Sequence, residues 1–242
     1  MVIIFDIGNT RTKTGVFEGD KLLEFRQWQP SQFGDIALYL RSFCVQKVAW
    51  LASGAAEKQL LFFLKENYSC TELTAATPLP FRNLYRTPHT LGRDRMAAVA
   101  GASVLFPNKN CLVIDAGTCV TYDFLDEKNN YHGGSIAPGI KMRLRAMHEQ
   151  TAALPLVEPK ELDGLLVGYD TETALRTGAQ LGVSLEIEGF VAAYRAKFGP
   201  NIQVVLTGGD AALLASQIKC ETLFLEPYLV LKGLRAILVG NE

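Results

Sequence analysis

The sequence predicts an α/β protein built from two tandem halves, each a mixed five-stranded sheet flanked by helices. Three observations lead there. A short D-x-G pattern occurs twice, as Asp6-Ile7-Gly8-Asn9-Thr10 and as Asp115-Ala116-Gly117-Thr118-Cys119. Each copy follows an apolar run that reads as a buried strand, Val2–Phe5 before the first and Cys111–Ile114 before the second. The order of elements after the first copy then returns after the second, 109 residues further on. A repeat of this kind predicts two related half-molecules, residues 1–108 and 109–242, facing one nucleotide between them.

The first half reads as β-β-β-α-β-α-β. Val2–Phe5, Lys13–Phe17 and Leu22–Trp28 are short strands joined by tight turns at Gly8-Asn9 and Glu18-Gly19-Asp20. Phe33–Phe43 carries Ile36, Leu40 and Phe43 at helical spacing, and Val45–Ala52, Glu57–Lys65 and Tyr68–Leu73 follow as strand, helix and strand. Thr77-Pro78-Leu79-Pro80 is a stiff extended connection. Met96–Leu105 is an apolar, Ala-rich helix containing Gly101, which fits either an internal core helix or a subunit interface.

In the second half, Cys111–Asp115, Val120–Leu125 and Tyr131–Ile136 make three strands, with Asp126–Asn130 as a polar hairpin tip. A helix over Ile140–Glu149 is followed by a Pro-containing loop and one long helix over Thr171–Phe198. Ile202–Leu206, Ala211–Gln217, Thr222–Leu225 and Tyr228–Leu238 close the chain as strand, helix, strand and helix.

The chemistry of the repeated loop follows from its residue types. A carboxylate at a strand end, here Asp6, suits a hydrated Mg²⁺, which keeps most of its waters and takes one or two carboxylates beside phosphate oxygens. Glycine two positions later permits a tight turn, and the Asn and Thr that follow offer N–H and hydroxyl donors to phosphate. Lys13, on the outgoing strand, adds a point charge.

Composition narrows the function classes. Lys+Arg 24 against Asp+Glu 25 gives a net charge of −1, so no overall basic field is available to attract nucleic acid. No run of about 18 apolar residues predicts a membrane span, and the start, Met1-Val2-Ile3-Ile4-Phe5-Asp6, has no basic segment of the kind that opens a signal peptide. Cys44, Cys70, Cys111, Cys119 and Cys220 form no C-x-x-C, and His89, His132 and His148 are too scattered for a metal cluster. These features predict reduced thiols and a cytoplasmic protein. The absence of G-x-x-x-x-G-K-[ST] and of G-x-G-x-x-G after the first strand removes the ordinary P-loop and dinucleotide-binding alternatives.

Five segments taken in order, D-I-G-N-T-R-T-K at 6–13, G-R-D-R at 92–95, D-A-G-T-C-V-T-Y-D at 115–123, G-G-S-I-A-P-G at 133–139 and T-G-G-D at 207–210, resemble type III pantothenate kinase. That family belongs to the actin, sugar-kinase and heat-shock chaperone superfamily, built from duplicated ribonuclease-H-like halves. The resemblance implies transfer of phosphate from ATP to the primary hydroxyl of pantothenate, the first step of coenzyme A synthesis. It also implies a homodimer, a divalent metal, and K⁺ or NH₄⁺ as monovalent cation.

Carried onto this chain, Asp6, Ile7, Gly8, Asn9, Thr10, Arg11, Thr12 and Lys13 would form the ATP phosphate loop, with Thr118 a second nucleotide contact. Asp115 would lie at the monovalent-cation site. Tyr85, Gly92, Arg93, Asp94, Arg95 and Thr171 would hold pantothenate, and Asp94 would be the catalytic base. Cys119 stands where the family more often has Ala, a residue close in size.

Phosphoryl transfer asks mainly for positioning and charge stabilisation, with a carboxylate orienting the attacking hydroxyl. Asp94 between Arg93 and Arg95 suits that role, because neighbouring guanidinium charge keeps a carboxylate ionised; the plainer alternative is a solvated helix cap. Arg95 offers its planar fork either to a substrate carboxylate or to a structural ion pair. Thr207-Gly208-Gly209 is either a close approach to adenosine or a tight β-to-α turn, and Lys141, Arg143 and Arg145 read as a solvated helix face.

Overall fold

In a computed structural model the chain is described for residues 1–8, 10–29, 32–52, 58–220 and 222–241. It divides into two compact units. The first comprises Met1–Pro107, Asn129–His132 and Tyr228–Glu242, the second Asn108–Lys128 and Gly133–Pro227.

The first unit is organised around β1 (Val2–Ile7), in which Ile3, Ile4 and Phe5 are completely buried. A strand apolar on both faces belongs in the middle of a covered sheet. β1 pairs antiparallel with β2 (Thr12–Glu18) and parallel with β4 (Lys47–Ala52). The order is β3-β2-β1-β4-β5, with β3 (Lys21–Trp28) and β5 (Cys70–Glu72) at the edges. Helices α1 (Phe33–Leu40) and α2 (Lys58–Asn67) lay Ile36, Leu40, Leu60 and Leu64 onto the core around Phe5 and Trp50. Each such side chain contributes about 1.5–3 kcal/mol when withdrawn fully from water. The indole of Trp28 donates to the buried Thr14 hydroxyl at 2.7 Å, so that hydroxyl carries no desolvation penalty.

Helix α3 (Arg93–Leu105) begins three residues earlier than its apolar run predicts, which brings Arg93, Asp94 and Arg95 into its first turn. Every residue from Arg95 to Ser103 is buried, so within this unit α3 is an internal helix. It packs against α8 (Leu229–Val239), which follows every strand of the second unit in sequence yet belongs to the first.

The second unit repeats the plan around β7 (Cys111–Ala116), antiparallel to β8 (Cys119–Leu125) and parallel to β10 (Gln203–Thr207). The order is β11-β10-β7-β8-β9-β6, with β9 at Asn130–Pro138 and β11 at Leu223–Leu225. The edge strand of that sheet, β6 (Arg82–Asn83), was not expected; two residues are too few for a periodic signal, and they pair with Asn130 and Tyr131 at the start of β9, which like β6 are counted in the first unit. Helix α4 (Ile140–Glu149) has the predicted bounds.

The long helix expected over Thr171–Phe198 is interrupted. α5 (Thr171–Arg176) runs into a π turn at Thr177–Leu181 before α6 (Gly182–Phe198), with α7 (Ala211–Ala215) later in the unit. The Thr177 hydroxyl donates to the carbonyls of Thr173 and Ala174, and the buried Gln180 amide bonds both backbone N–H and C=O of Lys160. Side chains that bond backbone in this way compete with regular helical pairing.

Candidate active site

Register alone places the central pair of the first unit. In the β1–β2 hairpin Asp6 stands directly opposite Lys13, and opposed residues share one face of the sheet. Lys13 Nζ accordingly lies 3.5 Å from Asp6 Oδ2. The turn between the strands is closed by the Gly8 N–H donating to Arg11 O at 3.1 Å. Ile7 and Thr12, paired at its base, are buried, whereas Thr10 and Arg11 are exposed and Arg11 donates to Gln27 Oε1 at 2.8 Å. Asn9, assigned to the phosphate loop above, lies outside the described residues.

Asp6 is buried, and burial pushes its carboxyl above the ordinary range. Lys13 pulls it back down, while the like charge of Asp94 adds to the rise. Asp94, the base expected from sequence, is thus near enough to Asp6 for the two charges to act on each other. Two carboxylates opposed by one ammonium favour an added cation, and an all-oxygen donor set suits a hydrated divalent ion.

This shift has a stability consequence. A carboxyl whose folded pKa is raised contributes stability that is complete below its unfolded pKa and is lost as pH rises through the folded value. Above the ordinary Asp value the raised carboxyl therefore opposes folding. Asp6→Asn is expected to melt above the wild type at pH 7 without metal, with the gap closing as pH falls toward the ordinary Asp value of 3.8. Thermal melts at several pH values check it; a gap that stays constant with pH would mean the effect does not come from the charge.

Asp94 is half-buried at the second residue of α3, not at the cap, which is Gly92. Its Oδ1 accepts the Arg95 N–H at 2.8 Å, and a Cβ on Gly92 would come within 2.6 Å of the same oxygen. Glycine there leaves the carboxylate room to sit over the start of the helix, where the dipole favours its anion. Arg93 donates to Ala52 O at 3.1 Å. Arg95 is buried, its guanidinium 5.7 Å from the centre of the Tyr85 ring, and Tyr85 stacks on Tyr131 at 6.2 Å. The structure thus brings Asp6, Lys13, Asp94, Arg95 and Tyr85 into one unit.

In the second unit the corresponding hairpin is one residue shorter. Asp115 pairs with Thr121, where the first unit has Lys13 opposite Asp6. The Gly117 N–H donates to Cys119 O at 2.9 Å, and the Thr118 carbonyl accepts the Gly139 N–H at 3.1 Å. Gly139 packs so closely that a Cβ would clash with Gly117 O and lie 2.6 Å from Thr118 O. Gly208, with φ of +103°, lies against Asp115; a Cβ would come 2.5 Å from Asp115 Oδ1. The T-G-G-D turn therefore needs glycine at 208 for both its left-handed backbone and this approach. Asp210, raised by burial and lowered by Lys141, donates its N–H to Ala116 O at 2.9 Å.

Thr171 is exposed at the first residue of α5. Asp170 caps that helix, accepting the Thr173 N–H at 2.8 Å in a reciprocal capping box, which depresses its own carboxyl pKa. Sequence reasoning missed one group. Lys141 and Arg145 are solvated as expected, but Arg143 turns inward to Glu186 and to the Pro138 carbonyl. A glutamate some forty residues away leaves no spacing signal. Among the described residues no helix is long and apolar enough to cross a membrane.

Comparison with known proteins gives a consistent result. The family model for type III pantothenate kinase matches residues 2–193. A type III pantothenate kinase from Bacteroides fragilis is 42% identical over 245 residues, covering 100% of this chain and 99% of its own. Among solved structures, a Baf family protein from Campylobacter jejuni superposes with a TM-score of 0.63 at 22% identity, over 99% of this chain and 98% of its own. An inorganic polyphosphate/ATP-glucomannokinase from Arthrobacter gives 0.51 at 15% identity, over 99% and 98%. These two structures speak for the fold, that of the actin-like kinases.

Proposed function

The chain belongs to the type III pantothenate kinase family, and from that premise we infer how its residues divide the work. It phosphorylates pantothenate with ATP to give 4'-phosphopantothenate, the first step of coenzyme A biosynthesis. The observation that carries the assignment of roles is the grouping of Asp6, Lys13 and Asp94 in one unit.

In this reading the primary hydroxyl of pantothenate lies against Asp94, which accepts its proton as the oxygen attacks the γ-phosphorus. A new O–P bond forms, the bond from phosphorus to the β,γ-bridging oxygen breaks, and ADP departs with that electron pair. Two features support this role for Asp94. Its Oδ1 accepts the Arg95 N–H, and a carboxylate has a second oxygen with which to accept the substrate hydroxyl. Lys13 contributes a positive charge to the phosphates from the face it shares with Asp6. Arg95, braced by the Tyr85 ring, presents its fork to the pantothenate carboxylate, with Gly92 and Arg93 beside it in sequence; Thr171 is assigned to pantothenate on the family resemblance.

The family works with ATP and a divalent metal; Asp6 is the residue suited to hold Mg²⁺ through water. The ion supplies charge neutralisation at the phosphate oxygens. Asp115 is assigned to K⁺ or NH₄⁺ on the family resemblance, consistent with its Oδ1 and the Ala116 carbonyl lying together beside Gly208. Thr118 is assigned to the nucleotide. A homodimer and a cytoplasmic location belong to the same reading and rest on the family resemblance.

Purified protein supplied with ATP, pantothenate, Mg²⁺ and K⁺ is expected to form phosphopantothenate with one ADP per turnover. Mass detection of the product checks it, with omission of each ion in turn testing the two cation assignments. Phosphorylation of a sugar in preference to pantothenate would move the chain's activity to another branch of the same superfamily.

A further inference from the structure

Arg143, Glu186 and Tyr122 come together from α4, α6 and β8. Arg143 Nη2 donates to Glu186 Oε2 at 2.6 Å, the Tyr122 hydroxyl donates to Glu186 Oε1 at 2.8 Å, and Arg143 Nε donates to the Pro138 carbonyl at 2.9 Å. Both carboxylate oxygens and two N–H donors of the guanidinium are thereby committed, so neither side chain is a loosely solvated surface charge. Tyr122 is wholly buried, its ring stacked on Phe190 at 4.0 Å. A phenylalanine would fill that space equally well, so the hydroxyl is present for Glu186.

A partly buried ion pair contributes little net stability, because desolvation offsets the attraction. Its location gives it another use. The end it fixes is Pro138–Gly139, the turn from β9 into α4, and the next residue is the Gly139 whose N–H bonds Thr118 O. Because Gly139 presses on the carbonyls of Gly117 and Thr118, any movement of this turn is transmitted to that loop by contact.

We propose that Arg143, Glu186 and Tyr122 form a positioning unit that holds the Pro138–Gly139 turn against Gly117–Thr118 and so sets the affinity for ATP. This rests on the assignment of Thr118 to the nucleotide. The three side chains act through the turn and make no contact of their own with the substrate.

The test is steady-state kinetics on full-length Arg143→Met, Glu186→Gln and Tyr122→Phe, with ADP affinity measured by calorimetry and folding by thermal melting. Loss of both Arg143 bonds in the first variant, or of the Glu186 charge in the second, is expected to raise KM for ATP and Kd for ADP by on the order of tenfold. Tyr122→Phe is expected to raise them by about threefold, from loss of a single hydrogen bond. KM for pantothenate should stay within about twofold in all three, a split that general loosening of the fold would not give. If Arg143→Met does not fold, Arg143→Lys with Tyr122→Phe carries the test. Unchanged nucleotide constants in folded variants, or equal rises in both KM values, would overturn the proposal. Thr118→Ala, measured alongside, separates the two failures: if it alone weakens ADP, the nucleotide assignment stands and the positioning unit falls. If the Arg143 and Glu186 variants weaken ADP while Thr118→Ala does not, the unit stands and acts through the loop backbone.

Discussion

Asp94→Asn is expected to lower kcat by on the order of 10²–10⁴ while leaving melting and oligomeric state close to wild type. The substitution is nearly isosteric. An asparagine Oδ1 still accepts the Arg95 N–H that Asp94 receives at 2.8 Å, so the first turn of α3 keeps its contact. What disappears is the charge and the ability to take a proton. The competing structural role is an anion in the first turn of a helix, worth about 0.3–1 kcal/mol, which would appear as a small drop in melting temperature with turnover intact. Measuring ADP release and thermal melting on the same preparation decides between them, since the two roles predict opposite patterns. Near wild-type turnover would reassign the base. The same variant also removes a like charge from the surroundings of Asp6, so the folded pKa of Asp6 should fall and its opposition to folding at neutral pH should shrink.

Several features of this site can be read directly from the chain. An apolar run followed by D-x-G marks the central strand of each unit, because only a strand buried on both faces tolerates Ile3, Ile4 and Phe5 in succession. Lys13 is recognisable as a charge on the outgoing strand of the hairpin, while its pairing with Asp6 comes from the register. Other features depend on contacts distant in sequence. The apolar signal of α3 starts at Met96 because Arg93, Asp94 and Arg95 carry no hydrophobic period, although they already occupy its first turn. The π turn at Thr177–Leu181 reflects Gln180 reaching the backbone of Lys160, which helical spacing cannot encode. Arg143 resembles its solvated neighbours Lys141 and Arg145 until Glu186 is brought beside it. Nor does the amphipathic pattern of α8 say which unit it joins. That is settled by glycine, through the shape of one helix crossing.

Gly233→Ala is expected to destabilise the protein by about 3 kcal/mol, at the upper end of overpacking costs, even though alanine is the better helix former by about 1 kcal/mol. At position 233 of α8 a Cβ would clash with the backbone carbonyl of Ala97 on α3 and lie 2.6 Å from Gly101 N. Gly101 faces the reciprocal restriction, with a Cβ 2.6 Å from Leu229 O. The obstructing atoms are backbone, so no rotamer change relieves them. The two helices must separate, and buried side chains such as Leu229, Leu234, Val99 and Ala102 lose close packing as they do. Gly189, within α6, provides the contrast, because nothing lies within 4 Å of its added Cβ. Gly189→Ala should therefore stabilise by up to about 1 kcal/mol. Thermal or denaturant unfolding checks both, with a fall of about 6–12 °C expected for Gly233→Ala. Two substitutions of one chemistry with opposite signs would show that the α3–α8 crossing, not helix propensity, decides the outcome. A Gly233→Ala protein as stable as the wild type would mean that α8 does not pack this closely on α3. The position of Asp94 in the first turn of α3 would then lose one of its supports, since α8 is a principal neighbour of that helix.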